Sequence, residues 1–182
     1  MKLLLTAAAS YPLSALAEKR QLAATQTPET LVDPWLTIAA VQQHLFPADE
    51  TSPGASDINA LHYLQTMIQA PDIDQEERDF IINGEKWLNG IALKTHARKF
   101  IELDDAQKET VLRQIEKSRA GENWLYTQLG YLIEALLSDP VYGGNPNGIG
   151  WNWLKHQPGY PTPSIDKMYY KLGKARYRST KA

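Results

Sequence analysis

Residues 138–163 read SDPVYGGNPNGIGWNWLKHQPGYPTP, and this stretch decides where the helical part of the chain ends. Its five prolines cannot lie inside a helix or a central strand, and its five glycines allow backbone conformations that other residues avoid. Four large aromatic side chains in the same stretch need burial or a binding partner: Tyr142, Trp151, Trp153 and Tyr160. We therefore predict an ordered loop at residues 138–163, packed by its own rings onto helices or onto another protein.

Upstream of this loop, the spacing of apolar residues predicts amphipathic helices. No segment alternates polar and apolar residues over a convincing length, so no sheet is predicted. The expected fold class is all-α, a single-domain bundle of about five helices followed by the aromatic loop and a short basic tail. The first four helices are expected to begin at acidic N-caps: Asp33, which precedes Pro34; Asp57; Asp74; and Asp104, with Gln107 completing a capping box.

The fifth predicted helix is the most apolar, and we expect it at the centre of the bundle. It is predicted to begin near Glu122 and to end at Asp139 and Pro140. Gly84, on the apolar face of the third helix, indicates a close contact with a neighbouring helix. Phe100 and Leu103 are expected to fill the core between helices. The apolar residues of the fifth helix are Trp124, Leu125, Leu129, Leu132, Ile133, Leu136 and Leu137.

The two ends of the chain differ from the helical part at residues 33–163. Residues 1–17 have the pattern of a signal peptide, with Lys2, a short apolar run and a small-x-small cleavage site at residues 15–17. A buried N-terminal helix is the alternative, although Pro12 counts against a long one. Residues 18–32 are predicted to be a polar linker. Residues 164–182 form a basic tail with a net charge of +5, which either docks on an acidic partner or anionic lipid or is solvated.

Composition and motif content exclude several classes of function. The formal net charge of −2 argues against a general nucleic-acid binder. The absence of cysteine excludes disulfides, cysteine-ligated iron–sulfur clusters and covalent haem attachment in this chain. None of the histidines is spaced from another as a helical pair of metal ligands would be: His44, His62, His96 and His156. We therefore predict no catalytic site and no metal site in this chain.

The glycines of the loop do not form a phosphate-binding motif. A dinucleotide fingerprint needs a strand before it and a helix after it, whereas a predicted helix precedes Gly143 and the sequence Gly-Trp-Asn-Trp follows. The carboxylates in predicted loops and first turns, such as Asp72 and Glu76, are explained by helix capping and solubility. No cofactor site is therefore predicted in this chain.

Two segments carry a resemblance to a known family. The sequence DPVYGGNPNGIGW at residues 139–151, followed by PGYP at residues 158–161, resembles the C-terminal signature of the gluconate 2-dehydrogenase subunit 3 family, the small or gamma subunits. The segment LFPADETSPGA at residues 45–55 is similar to an earlier segment of that family. The resemblance runs over roughly residues 33–163 and is specific in the loop and loose in the helices.

The resemblance implies a place in a complex. The large subunit of such complexes is an FAD-dependent oxidoreductase of the glucose–methanol–choline type, which oxidises gluconate or another sugar or polyol. Electrons leave it through a c-type cytochrome subunit that holds haem c. By resemblance, this chain is an accessory, non-catalytic subunit without a cofactor, which supports folding, stability and export of the flavoprotein. Its implied location is the periplasm, in association with the cytoplasmic membrane.

The aromatic loop is the candidate partner interface, because Trp and Tyr supply large contact areas at low entropic cost. Alternatively, its rings cover the open end of the bundle. A different function also stays open, that of a stand-alone periplasmic sugar-binding protein in which Trp151, Trp153 and Tyr160 stack on a sugar ring and three asparagines bind its hydroxyls: Asn145, Asn147 and Asn152. The candidate interface residues are Tyr142, Gly143, Gly144, Asn145, Trp151, Trp153 and Tyr160.

Overall fold

The structure is a computed structural model that describes residues 31–172. The predicted signal peptide, nearly all of the predicted linker, and residues 173–182 of the basic tail lie outside the described residues. Residues 31–172 contain no strand, which confirms the all-α class. The six helices of this part are α1 (Trp35–Leu45), α2 (Ala60–Met67), α3 (Gln75–His96), α4 (Asp105–Glu116), α5 (Arg119–Leu137) and α6 (Ile149–Leu154).

Two of the predicted N-caps are confirmed. The Asp74 carboxylate accepts a hydrogen bond of 2.8 Å from the Glu77 backbone N–H at the start of α3. At the start of α4, the Asp104 carboxylate accepts from the Gln107 backbone N–H at 2.9 Å, and the Gln107 side chain accepts in return from the Asp104 N–H. These bonds satisfy backbone donors that the first turn of a helix leaves without a partner.

The predicted cap at Asp33 is wrong, because α1 begins after Pro34, which is itself the N-cap residue. The Asp33 carboxylate accepts instead from the Thr37 hydroxyl at 2.8 Å and pairs with the Lys99 ammonium group at 2.8 Å. Burial of Asp33 opposes ionisation, but the hydrogen bonds from Lys99 and Thr37 outweigh it and lower the pKa of this carboxyl. Asp33 thus ties α1 to the chain that follows α3.

The predicted cap at Asp57 is also wrong, and α5 begins slightly earlier than predicted. Asp57 does not cap α2, since its carboxylate accepts from the Gly54 backbone N–H at 2.8 Å and the helix begins only at Ala60. Helix α5 begins three residues before Glu122, because the Ser118 hydroxyl accepts from the Gly121 N–H and acts as its cap. The Ser118 cap sets the start of α5, whereas α2 begins after Asn59, whose backbone is left-handed with φ 54°.

The core is built around α5, which contacts each of the other five helices. Trp124 of α5 is fully buried and donates a hydrogen bond of 2.9 Å from its indole N–H to the Ile81 carbonyl of α3. The indole ring lies against Gly84, where a Cβ atom would overlap it. The predicted close contact at Gly84 is therefore confirmed, and it allows α3 and α5 to approach with a Trp between them.

The connection between α3 and α4 also contributes to the core. Phe100 is 0% exposed and Leu103 is 4% exposed, which confirms that these residues fill the core between helices. The Asn89 side chain accepts from the Phe100 backbone N–H at 2.9 Å, so a buried donor outside the regular helices has a partner. This bond holds the connection against α3.

Candidate partner interface

The loop at residues 138–163 folds back on α5 through Asn145. This residue is 0% exposed, and its backbone adopts the left-handed conformation with φ 47°, which Asn tolerates better than most residues. Its amide group donates to the Ser138 carbonyl at 2.9 Å and accepts from the Gly150 N–H at 2.7 Å. Its backbone N–H donates to the Ile58 carbonyl at 3.0 Å. Asn145 therefore joins the end of α5, the start of α6 and the approach to α2.

The two glycines before Asn145 allow the loop to lie directly on the helices. Gly143 has φ +92°, and a Cβ atom added there would lie 2.8 Å from the His62 ring of α2. Gly144 is buried, and a Cβ atom there would lie 2.8 Å from both the Ala135 carbonyl oxygen and the Ser138 hydroxyl. These glycines shape the loop rather than present a side chain to a partner.

Replacing Gly143 by Val should lower the free energy of unfolding by about 1–3 kcal/mol, because a β-branched residue at positive φ is strained. The added side chain would also displace the His62 ring. Urea denaturation followed by far-UV circular dichroism measures the loss. The matched control is Gly159→Val, since no atom of the described residues lies within 4 Å of a Cβ atom there and its φ is not left-handed. Equal stability of the Gly143 variant and wild type would contradict the argument.

The four aromatic rings of the loop divide into inner and outer pairs. The half-buried Tyr142 hydroxyl accepts from the Tyr169 backbone N–H at 3.1 Å. The half-buried Trp151 donates from its indole N–H to the Leu137 carbonyl at 2.8 Å. Trp153 is 38% exposed and Tyr160 is 96% exposed, so this outer pair is available to a partner. The inner pair holds the loop to the rest of the protein.

The segment predicted as a loop, residues 138–163, contains a short helix that the sequence pattern did not predict. Helix α6 (Ile149–Leu154) carries both tryptophans of the loop and packs against the C-terminal end of α5. Gly150 permits this packing, because a Cβ atom there would overlap the Leu136 carbonyl oxygen. Trp153 then meets Phe46, beyond the end of α1, in an edge-to-face contact with ring centroids 6.2 Å apart.

The expectation that α5 lies at the centre of the bundle is confirmed by its contacts with the other five helices, but only one side of α5 is buried. Four of its large side chains are exposed and recur every three or four residues, so they share one side of the helix: Tyr126 at 67%, Leu129 at 37%, Ile133 at 57% and Leu137 at 42%. These four residues are called the α5 outer face below. The signal was present in the sequence, since α5 has more apolar positions than one core-facing stripe requires.

Two grooves flank the α5 outer face. The groove between α4 and α5 has a volume of about 230 Å³, and the groove at the C-terminal end of α5 has a volume of about 390 Å³. Leu45 lines the first groove, and the next residue along the chain, Phe46, contacts Trp153. The charged residues that line the two grooves are Glu109, Arg113, Glu116, Glu122, Glu134 and Asp139.

The rim of these grooves is acidic, with five carboxylates against one guanidinium group. Hydrogen bonds from His44 and Arg113 lower the pKa of Glu109, which therefore carries its negative charge at neutral pH. The Tyr63 hydroxyl donates to the Glu134 carboxylate at 3.2 Å. Burial and the nearby Glu134 charge raise the pKa of Tyr63, so this hydroxyl remains a donor at neutral pH. The chemical character of the site is an apolar strip with a negative border.

The first part of the predicted basic tail packs on the loop. Met168 is only 3% exposed, and the Tyr169 ring lies 5.9 Å from the Tyr142 ring. Residues 164–172 are therefore docked on the protein itself at these two side chains. Four of the basic residues lie outside the described residues: Lys174, Arg176, Arg178 and Lys181.

The described residues form neither a metal-binding cluster nor a membrane-spanning helix. Between residues 31 and 172, no group of three or more His, Asp or Glu side chains is placed to hold a metal ion. In the same part of the chain, every helix is too short or too polar to cross a bilayer. The sugar-binding alternative loses one of the three asparagines proposed to bind sugar hydroxyls. Both polar groups of the Asn145 side chain form hydrogen bonds with the backbone of this chain instead.

The family model described as gluconate 2-dehydrogenase subunit 3 matches residues 33–159, which is well over half of the chain and includes most of the aromatic loop. No curated protein and no solved structure matches the chain. The chain therefore belongs to the gluconate 2-dehydrogenase subunit 3 family, and this membership implies a subunit of the gluconate 2-dehydrogenase complex that has partner subunits.

Proposed function

We propose that this chain is an accessory, non-catalytic subunit that holds an FAD-dependent dehydrogenase subunit through the α5 outer face and the outer aromatic pair, Trp153 and Tyr160. The observation that carries the proposal is the exposure of four large apolar side chains along one side of the central helix. A contiguous apolar surface of this kind marks an interaction site in soluble proteins. Family membership supports a partner subunit as its occupant.

The proposed partner is the large flavoprotein of the glucose–methanol–choline type, with gluconate, or another sugar or polyol, as the substrate class. A c-type cytochrome subunit carries the electrons onward, and the complex acts in the periplasm at the cytoplasmic membrane. In this arrangement the flavin and the substrate pocket belong to the partner. The small subunit supports folding, stability and export of the flavoprotein by covering an apolar surface that the flavoprotein alone would expose to water.

The experiment is purification of the tagged full-length chain from membranes of its own cells under conditions that preserve complexes. We expect a larger subunit to co-purify, with the absorption bands of flavin and, where the cytochrome is retained, of haem c. The apoprotein of the large subunit should be less soluble when expressed without this chain. A colourless chain that elutes alone from such a preparation would contradict the proposal.

Replacing Trp153 by Ala should weaken the complex roughly tenfold, or about 1–2 kcal/mol, because an exposed Trp at an interface supplies a large contact area. Affinity is measured by titrating the purified partner subunit. Trp87→Ala is a closely matched control, since Trp87 is also 38% exposed and also makes an edge-to-face contact, with Phe80. Equal losses in both variants would remove the outer aromatic pair from the proposed interface. Trp151 is a poorer probe, because its indole N–H binds the Leu137 carbonyl and its loss would also loosen the loop.

A further inference from the structure

Next to the α5 outer face lies a glycine, Gly130, that no contact among the described residues explains. Glycine in a helix interior is unfavourable relative to alanine, so it usually has a packing reason. Gly84 of α3 lies against the Trp124 ring, and Gly121 of α5 lies against the Ile115 carbonyl. At Gly130 of α5, by contrast, no atom of the described residues lies within 4 Å of the position that a Cβ atom would take.

Gly130 lies at the edge of the exposed apolar surface, where it meets the polar side of α5. Its neighbours one turn away are Tyr126 and Ile133 on the apolar side and Thr127 and Glu134 on the polar side. A glycine beside large apolar side chains leaves a notch at which the backbone of another element can approach closely. The element that fits an apolar strip along a helix is a second helix that crosses it.

The acidic border restricts the partner further. Five carboxylates and one guanidinium group line the two grooves, so a bound helix is favoured when lysine or arginine flanks its apolar stripe. A second copy of this chain is disfavoured as the occupant, because two α5 outer faces would bring two acidic borders together. Charge complementarity therefore favours another protein as the occupant, one whose apolar stripe is flanked by basic residues.

We propose that the α5 outer face receives an amphipathic helix of the flavoprotein subunit, which crosses α5 at Gly130 and presents lysine or arginine on both sides of its apolar stripe. This inference rests on the proposed function and specifies the partner element. The notch at Gly130 lets the two backbones come close, and the Tyr126 and Ile133 side chains beside it pack against the bound helix. Arg113 already pairs with Glu109 and Glu116, so the basic residues of the bound helix pair with the three border carboxylates that have no ion-pair partner among the described residues: Glu122, Glu134 and Asp139.

The first test compares Gly130→Ala with Gly90→Ala in the full-length chain. Gly90 is the matched control, since it is also an exposed glycine inside a helix with no described atom within 4 Å of a Cβ atom. Each substitution should raise the melting temperature of the free subunit by about 2–4 °C, because alanine is the better helix former. Only Gly130→Ala should weaken binding to the purified flavoprotein, by about tenfold, because the added methyl group meets the partner backbone. Unchanged affinity of the Gly130 variant would overturn the proposal.

The second test identifies the bound element by Tyr126→p-benzoylphenylalanine photo-crosslinking within the complex, followed by mass spectrometry of the joined peptides. We expect a flavoprotein peptide with apolar residues at helical spacing and with flanking lysine or arginine. A crosslink to an acidic or non-helical segment, or to residues 173–182 of this chain, would overturn the inference and leave the proposed function intact. Failure of the wild-type chain to co-purify with any flavoprotein would instead reject the proposed function.

Discussion

Replacing Trp124 by Ala should lower the free energy of unfolding by about 3–5 kcal/mol, the range for truncating a large buried aromatic side chain. Trp124 is 0% exposed, and its indole N–H is the donor to the Ile81 carbonyl. The substitution removes this bond and leaves a cavity between α3 and α5, which Gly84 cannot fill. Chemical denaturation followed by far-UV circular dichroism measures the loss, since the described fold is helical.

A double-mutant cycle with Gly84 tests the reason for this loss. Gly84→Ala alone should destabilise the protein, because its methyl group would overlap the Trp124 ring. In the Trp124→Ala background the same change should be neutral or stabilising, because the ring is gone and alanine favours the helix. Additive effects of the two substitutions would show that the packing of Trp124 on Gly84 is not what holds the two helices together.

Replacing Ile133 by Asp should weaken the complex about 100-fold, or about 2.7 kcal/mol, while leaving the free subunit folded. Ile133 is 57% exposed in the free chain, so a carboxylate there remains hydrated until a partner covers it. On binding, the carboxylate would be buried in an apolar contact and would add to an already acidic border. Titration of the purified flavoprotein against the variant gives the affinity, and its melting curve reports the fold.

The control for Ile133→Asp is Leu93→Asp on α3, because Leu93 is similarly exposed, at 51%, on another helix. This variant should bind like wild type. Loss of binding in the Leu93 variant with none in the Ile133 variant would move the interface from α5 to α3. Unfolding of the Ile133 variant would contradict the statement that this side chain lies outside the core.

Local sequence chemistry predicted much of the fold. The periodic apolar residues identified five of the six helices between residues 31 and 172. Asp74 and Asp104 act as the predicted caps, because the carboxylate of each accepts a hydrogen bond from a backbone N–H in the first turn of its helix. Asp33 and Asp57 failed as caps because other donors compete for their carboxylates: Lys99, distant in sequence, and the Gly54 backbone N–H within a turn. Such competition depends on where the folded chain brings each donor.

The sequence by itself determined the helical class, the family signature in the aromatic loop and the close contact at Gly84. Only the tertiary structure decided which side of α5 is core and which side is exposed, and which loop residues face outward. Periodicity shows that Leu132 and Ile133 are both apolar, yet Leu132 is buried and Ile133 is 57% exposed. The physical reason is that burial depends on the number of neighbouring elements. The described helices cover one side of α5 and leave its outer face exposed.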